Sequence, residues 1–274
     1  MSMGLEKKQP FNREYREVIK EHKDDFKENS PANYTYAIQD SPLRGADDNV
    51  VAFEDSFRNV LPEGQRDLRN YIEQALAQRK GEAIGLEFGG PGSKFFAGFS
   101  RGFFKKTAGI DAAGRARMDS TFFRGVREMI RGHMVIQGDI LVPRTYSAAL
   151  GTWLGDDKPD LIVEHMVGGF ELNPIHPMTV YKTFKRWYEL LNKGGIMFVQ
   201  VPHNARPIVQ SWVDMVRGQD FSGLLEVAYH PTDTLDGDYS QDLSVLRLRK
   251  LPGAPLELPM LDPQAIRDIS TGRE

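Results

Sequence analysis

Cysteine is missing altogether from this chain of 274 residues. Its absence removes disulfides, thiolate metal sites and a cysteine nucleophile from consideration, and it fits a cytoplasmic protein. Long apolar runs are missing too. No stretch approaches the roughly 18 apolar residues of a membrane span, and the charged opening, Met1 to Lys8, has no apolar signal core. Net charge is small, −3, so nothing global calls for a polyanionic partner such as nucleic acid. The six histidines include no tight spacing of the His-Glu-x-x-His kind, so no metal site is expected. Asn33-Tyr34-Thr35 matches a glycosylation acceptor, but without a secretion signal it reads as chance.

What is present is the material of one large α/β domain with extensions: 40% hydrophobic and 27% charged residues. Phe11, Tyr15, Val18, Ile19, His22 and Phe26 recur at helical spacing near the N-terminus, which predicts an amphipathic surface helix. Residues 29–62 read as a loop rich in turn residues and aromatics, either a packing strap or a lid. The spacing then predicts a helix from Glu63 to Lys80, ended by Gly81, and a strand from Ala83 to Phe88.

Helices and strands alternate from there. A helix is expected over Lys94 to Phe104, closed by Lys105-Lys106 at its negative end, with Gly98 and Gly102 allowing close packing. A strand follows at Thr107 to Ile110, a helix near Ser120 to Arg131, and a strand at Met134 to Gln137. A short helix around Ser147 to Leu154 leads to an apolar strand, Asp160 to His165, of the kind buried on both faces. Then come a helix over Thr179 to Asn192, a strand at Ile196 to Val201 and a helix over Val209 to Val216. Gly223 to His230 and Asp242 to Arg249 are strand-like with no helix between them, so they should pair as an antiparallel hairpin. The proline-bearing tail from Leu251 reads as a strap with one helical turn near Pro263 to Ile269.

The most informative stretch is Glu87-Phe88-Gly89-Gly90-Pro91-Gly92-Ser93, where an apolar strand ends in a carboxylate followed by glycines. In open α/β sheets ligands bind at this carboxyl edge. The next two strands also end in an acid, Asp111 and then Asp139 in Gly138-Asp139-Ile140. Each could be a turn or cap residue, but three in succession make a stronger pattern.

Five parallel strands, three acid-tipped, followed by a hairpin resemble the class I S-adenosylmethionine-dependent methyltransferases over residues 63–250. The resemblance implies an α/β fold: a seven-stranded, mostly parallel sheet of order 3-2-1-4-5-7-6, strand 7 antiparallel, with helices on both faces. Residues 1–62 become an N-terminal extension and 251–274 a C-terminal strap. The family's glycines fall two, four and six residues after the acid, positions held here by Gly89, Pro91 and Ser93. The resemblance also implies S-adenosylmethionine as cofactor, with Glu87, Gly89, Gly90 and Gly92 at the methionine end, Asp111 on the ribose, Asp139 and Ile140 by the adenine, and Glu164 nearby. Asp160-Leu161-Ile162-Val163-Glu164-His165 matches the strand 4 motif.

The chemistry agrees. Two ribose hydroxyls and an exocyclic amine want acceptors, which carboxylates supply; a pyrophosphate would want N–H groups without an acid. Glu164 and His165 are candidates for lining the methyl-transfer site. His176, His203 and His230 read as rim or structural residues. No Asn-Pro-Pro-Tyr motif follows strand 4, which turns the expectation from planar amino groups of bases toward a small-molecule acceptor. The eight Lys/Arg between Arg101 and Arg131 read as a solvated face, with an RNA-facing patch as the alternative. Two other functions stay open: a non-catalytic methyltransferase-like module that binds protein or RNA, and an NAD-dependent oxidoreductase. The latter would want Gly-x-Gly-x-x-Gly directly after the first strand.

Overall fold

The computed structural model describes residues 56–90, 92–111, 132–138, 140, 142–164, 177–201, 205–219, 221, 223–231 and 244–271. The expected helices near residues 11–26 and 120–131, the loop 29–55, and Pro91, Asp139, His165, His176 and His203 lie outside these.

The sheet has seven strands: β1 Ala83–Phe88, β2 Phe104–Asp111, β3 His133–Gln137, β4 Leu161–Glu164, β5 Ile196–Gln200, β6 Leu225–His230 and β7 Val245–Lys250. Their order is β3-β2-β1-β4-β5-β7-β6. β1 to β5 are parallel, and β7 runs antiparallel between β5 and β6. This is the order expected from the resemblance, including the terminal hairpin.

Strand alternation divides the core in two. On one face, Ile84, Leu86, Phe88 and Ile162 pack under α3 (Ser147–Leu154), α4 (Pro177–Leu190) and α5 (Arg206–Gly218). On the other, Ala83, Leu161, Val163 and Phe198 pack under Phe57, Val60, α1 (Leu68–Ala75) and α2 (Ser93–Ala97). The continuous burial of β1, β4 and β5 is what a parallel sheet covered on both faces requires.

Two helices differ from the sequence reading. α1 begins at Leu68 rather than Glu63, because Asp67 takes the N-cap and its carboxylate accepts the Asn70 N–H at 2.9 Å. α2 is only five residues long and stops at Gly98. Gly102, at φ 72°, turns the chain, and Phe104 already opens β2. Phe95, Phe96, Phe99, Phe103 and Phe104 therefore pack as a cluster across a turn, not along one helix. Lys105 and Lys106 belong to β2 and do not close a helix.

Lys106 has a different job. Its Nζ donates to Trp153 O at 3.0 Å and Leu154 O at 2.8 Å, the C-terminal carbonyls of α3. Lys250 does the same for α4, donating to Tyr188 O at 2.9 Å and Leu191 O at 3.1 Å, and Arg249 donates to Ala75 O of α1 at 3.2 Å. Three strand-borne cations thus receive the negative ends of three helices. They stand at the edge where the parallel strands begin, away from the strand tips.

The C-terminal segment docks through side chains of α4 and α5. Tyr188 Oη donates to Pro255 O at 2.7 Å, and Trp212 Nε1 donates to Pro259 O at 2.9 Å. Tyr181 Oη accepts the Leu261 N–H at 3.2 Å. The strap ends in a nine-residue helix, α6 (Pro263–Thr271), longer than the single turn expected.

Candidate functional site

β1 carries the chain to the carboxyl edge with Glu87 and Phe88 fully buried. Gly89 follows at φ 95°, and its N–H donates to Ile110 O at 2.9 Å, which ties the turn to β2. Gly92 caps α2 at φ 72°, where a side chain would be strained. A Cβ there would also stand 3.1 Å from the Phe96 ring and 3.3 Å from His133 Cε1. Phe96 lies close because Gly85 has no side chain: a Cβ at Gly85 would fall 2.3 Å from Phe96 Cε1. The glycines on either side of Glu87 therefore let one phenylalanine anchor α2 against β1.

Asp111 ends β2. The register pairs Glu87 with Gly109, two residues before Asp111. Glu87 thus stands opposite a glycine, at the strand end next to the one that Asp111 closes. Gly138 follows β3, and a Cβ on it would lie 2.6 Å from Tyr146 Cβ. Tyr146 is buried, with its ring 5.8 Å from that of Phe88, so it joins the tip of β3 to the tip of β1. Ile140 is buried in the same cluster.

With the strand order, the antiparallel β7 and an acid-tipped β1 opening into a glycine turn, the architecture is settled. The fold is that of the class I methyltransferases.

In this fold β4 supplies the next tip beside β1. Glu164 ends β4, pairs with Phe88 on one side and Val199 on the other, and is 1% exposed. Its Oε2 accepts the backbone N–H of Gln200 at 3.0 Å. Burial pushes its carboxyl well above the usual carboxylate range, and the Gln200 N–H only partly offsets this. Gln200 Nε2 in turn donates to Ser56 Oγ at 3.1 Å. Phe57 packs edge-on against Phe198 at 5.3 Å. Ser56 and Phe57 therefore join the sheet at β5.

Asp160, the first residue of the strand 4 motif, stands at the opposite edge. Its carboxylate accepts from Arg79 Nε at 3.1 Å, the Ile84 N–H at 3.0 Å and Asn192 Nδ2 at 2.9 Å. It binds the start of β1 to Arg79, in the turn after α1, and to Asn192, just after α4. Among the described residues no group of three or more His, Asp or Glu is placed to hold a metal ion, and no helix is long and apolar enough to cross a membrane.

Sequence reasoning thus found Glu87, the glycines, Asp111 and Glu164 at strand tips. It missed His133, Tyr146, Ser56 and Gln200, whose places depend on contacts distant in sequence. Gly85 and Gly138 were the one available signal, as glycines beside strands where a large side chain packs.

No family model and no curated protein matches the chain. Among solved structures it is similar to an rRNA methylase from Streptococcus thermophilus, at 16% identity over 65% of this chain and 93% of that one, TM-score 0.41. It is also similar to an O-methyltransferase from Bacillus cereus in complex with S-adenosylhomocysteine, at 12% identity over 78% and 95%, TM-score 0.42. A third is the N-methyltransferase NodS from Bradyrhizobium japonicum, at 15% identity over 67% and 94%, TM-score 0.38.

Proposed function

We propose that the protein is an S-adenosylmethionine-dependent methyltransferase acting on a small-molecule acceptor. The observation that carries this reading is the buried Glu87 at the end of β1, opening into a glycine turn beside the end of β2 at Asp111. Acids at both tips suit a ligand rich in hydroxyl and amino donors and disfavour a pyrophosphate.

The residues present fit such a cofactor. Glu87, Gly89, Gly90 and Gly92 would hold its methionine end, where a backbone without Cβ atoms allows close approach. Asp111 would take the ribose hydroxyls, with Asp139 and Ile140 beside the adenine. The sulfonium group, when bound, presents a methyl carbon that an acceptor O, N or C atom attacks, releasing S-adenosylhomocysteine. Glu164 and His165, at the end of β4, would line the acceptor side. Positioning of the two reactants can supply much of the rate in such a transfer, so no strong base is demanded. Ser56, which meets Gln200, would border the acceptor entrance.

Calorimetric titration with S-adenosylhomocysteine and, separately, NAD tests this reading. Binding of the first alone supports it. Binding of NAD alone would replace it with the oxidoreductase.

A further inference from the structure

Glu164 is an unusual group to leave inside a protein. Its carboxyl is buried, yet only one oxygen is engaged, by the neutral backbone N–H of Gln200. Oε1 is buried without a hydrogen-bond partner among the described residues. Its register neighbours, Phe88 on β1 and Val199 on β5, are apolar and buried. Among the described residues no charged side chain contributes to its electrostatics; the two influences are burial and the Gln200 N–H. An ionised carboxylate needs a cation or several donors to be stable in such a place. A neutral carboxylic acid does not, and it turns one oxygen from acceptor into donor.

We propose that Glu164 is a positioning residue in its uncharged form: its carbonyl oxygen ties the tip of β4 to Gln200 on β5, and Gln200 passes the tie to Ser56. The chain of contacts is Glu164 Oε2 to the Gln200 N–H at 3.0 Å, then Gln200 Nε2 to Ser56 Oγ at 3.1 Å. Gln200 and Ser56 are both buried, so the tie is screened from water and strengthened by the low local polarity. Because Oε2 accepts the N–H, the proton rides on Oε1, which stands at the end of β4 as a hydrogen-bond donor. Glu164 in this state is not a general base. The consequence for catalysis rests on the methyl-transfer reading, in which the tips of β4 and β5 border the acceptor. The protonation state does not rest on it.

The test uses the full chain and Glu164→Gln, whose amide keeps the acceptor oxygen and cannot ionise, with Glu164→Ala as control. Folding stability is measured by urea denaturation from pH 4.5 to 9. A carboxyl whose folded pKa is raised contributes stability that is full below its unfolded pKa and lost as pH rises to the folded pKa. The folding constant of Glu164→Gln relative to wild type should therefore grow with pH, by up to about tenfold per unit, and level off once the folded group ionises. A ratio that is flat or falls over this range overturns the proposal. Infrared difference spectra of wild type minus Glu164→Gln at pH 7 should contain the carbonyl stretch of a protonated carboxylic acid; a carboxylate pair in its place overturns it. Glu164→Ala should be less stable than Glu164→Gln at every pH, and equal stability would remove the tie through Gln200. None of these readouts needs a cofactor. Wild-type protein that binds S-adenosylhomocysteine but has no such infrared band keeps the methyltransferase reading and loses this one.

Discussion

Glu87 and Glu164 stand on adjacent parallel strands, one register step apart, and face opposite sides of the sheet. Glu87 pairs with Val163 and Glu164 with Phe88; Val163 packs in the layer of α1 and α2, Phe88 in the layer of α3 and α4. The two acids therefore have separate surroundings and separate work. Glu87→Gln should weaken S-adenosylhomocysteine binding about tenfold, the cost of replacing one charge-assisted contact. In a double variant with Glu164→Gln the stability effects should add within about 0.5 kcal/mol. Calorimetry and urea denaturation of the four proteins check both statements.

Gly85 exists to admit Phe96. An Ala there would place its Cβ 2.3 Å from Phe96 Cε1, within a cluster where Phe95, Phe99 and Phe104 hold the ring. Gly85→Ala should destabilise the protein by about 1–3 kcal/mol, the usual cost of overpacking. It should also weaken S-adenosylhomocysteine binding, because Phe96 carries α2 and the Gly92 turn. Phe96→Leu in the Gly85→Ala background should recover part of the loss, measured by denaturation and titration in parallel.

Lys250 is buried with its ammonium group 4.1 Å from the centre of the Tyr188 ring. Burial, aided by Lys158 and Lys193, pulls its pKa down to about 8, against a weaker pull upward from Glu189. The folded chain then holds this proton less tightly than the unfolded chain, whose lysine keeps its ordinary pKa of 10.5. Between about pH 8 and 10.5 the unfolded state binds more protons, so this group's contribution to stability rises with pH. Lys250→Met should be less stable than wild type at pH 7, because two carbonyls at the end of α4 lose their donor. The gap should widen toward pH 10, as read from paired denaturation curves.

Asp160 should matter for stability far more than for ligand binding. Asp160→Ala leaves the Ile84 N–H without its acceptor and releases Arg79 and Asn192, at a cost of about 3 kcal/mol in unfolding free energy. Arg79 is half exposed and can return to water, which limits the loss. Under conditions where the variant is folded, its affinity for S-adenosylhomocysteine should stay within about threefold of wild type, since Asp160 stands at the far edge from Glu87 and Asp111.

The strand order was readable because five apolar segments alternated with helical patterns and then gave way to a hairpin without a helix between its strands. Ser147–Leu154 and Ala83–Phe88 fell where the periodicity put them. The aromatic run from Phe95 to Phe104 did not, because closely spaced large apolar residues fit both periods and only Gly98 and Gly102 separate helix from strand. Asp160 and Glu164 belong to one short motif, yet one ties the start of β1 to two helix ends and the other is buried at a strand tip. That difference comes from burial and from partners such as Arg79 and Gln200, which lie far away in sequence. The acids at the tips of β1 and β2 were legible as positions. That Glu87 stands opposite Gly109 depends on register, which no single strand reveals.

A crystal structure of the full chain grown with S-adenosylhomocysteine tests the central claim most directly. The account predicts the ligand's amino-acid end over Gly89 to Gly92 beside Glu87, and its ribose hydroxyls within hydrogen-bonding distance of the Asp111 carboxylate. A ligand bound elsewhere, or none at saturating concentration, would contradict it.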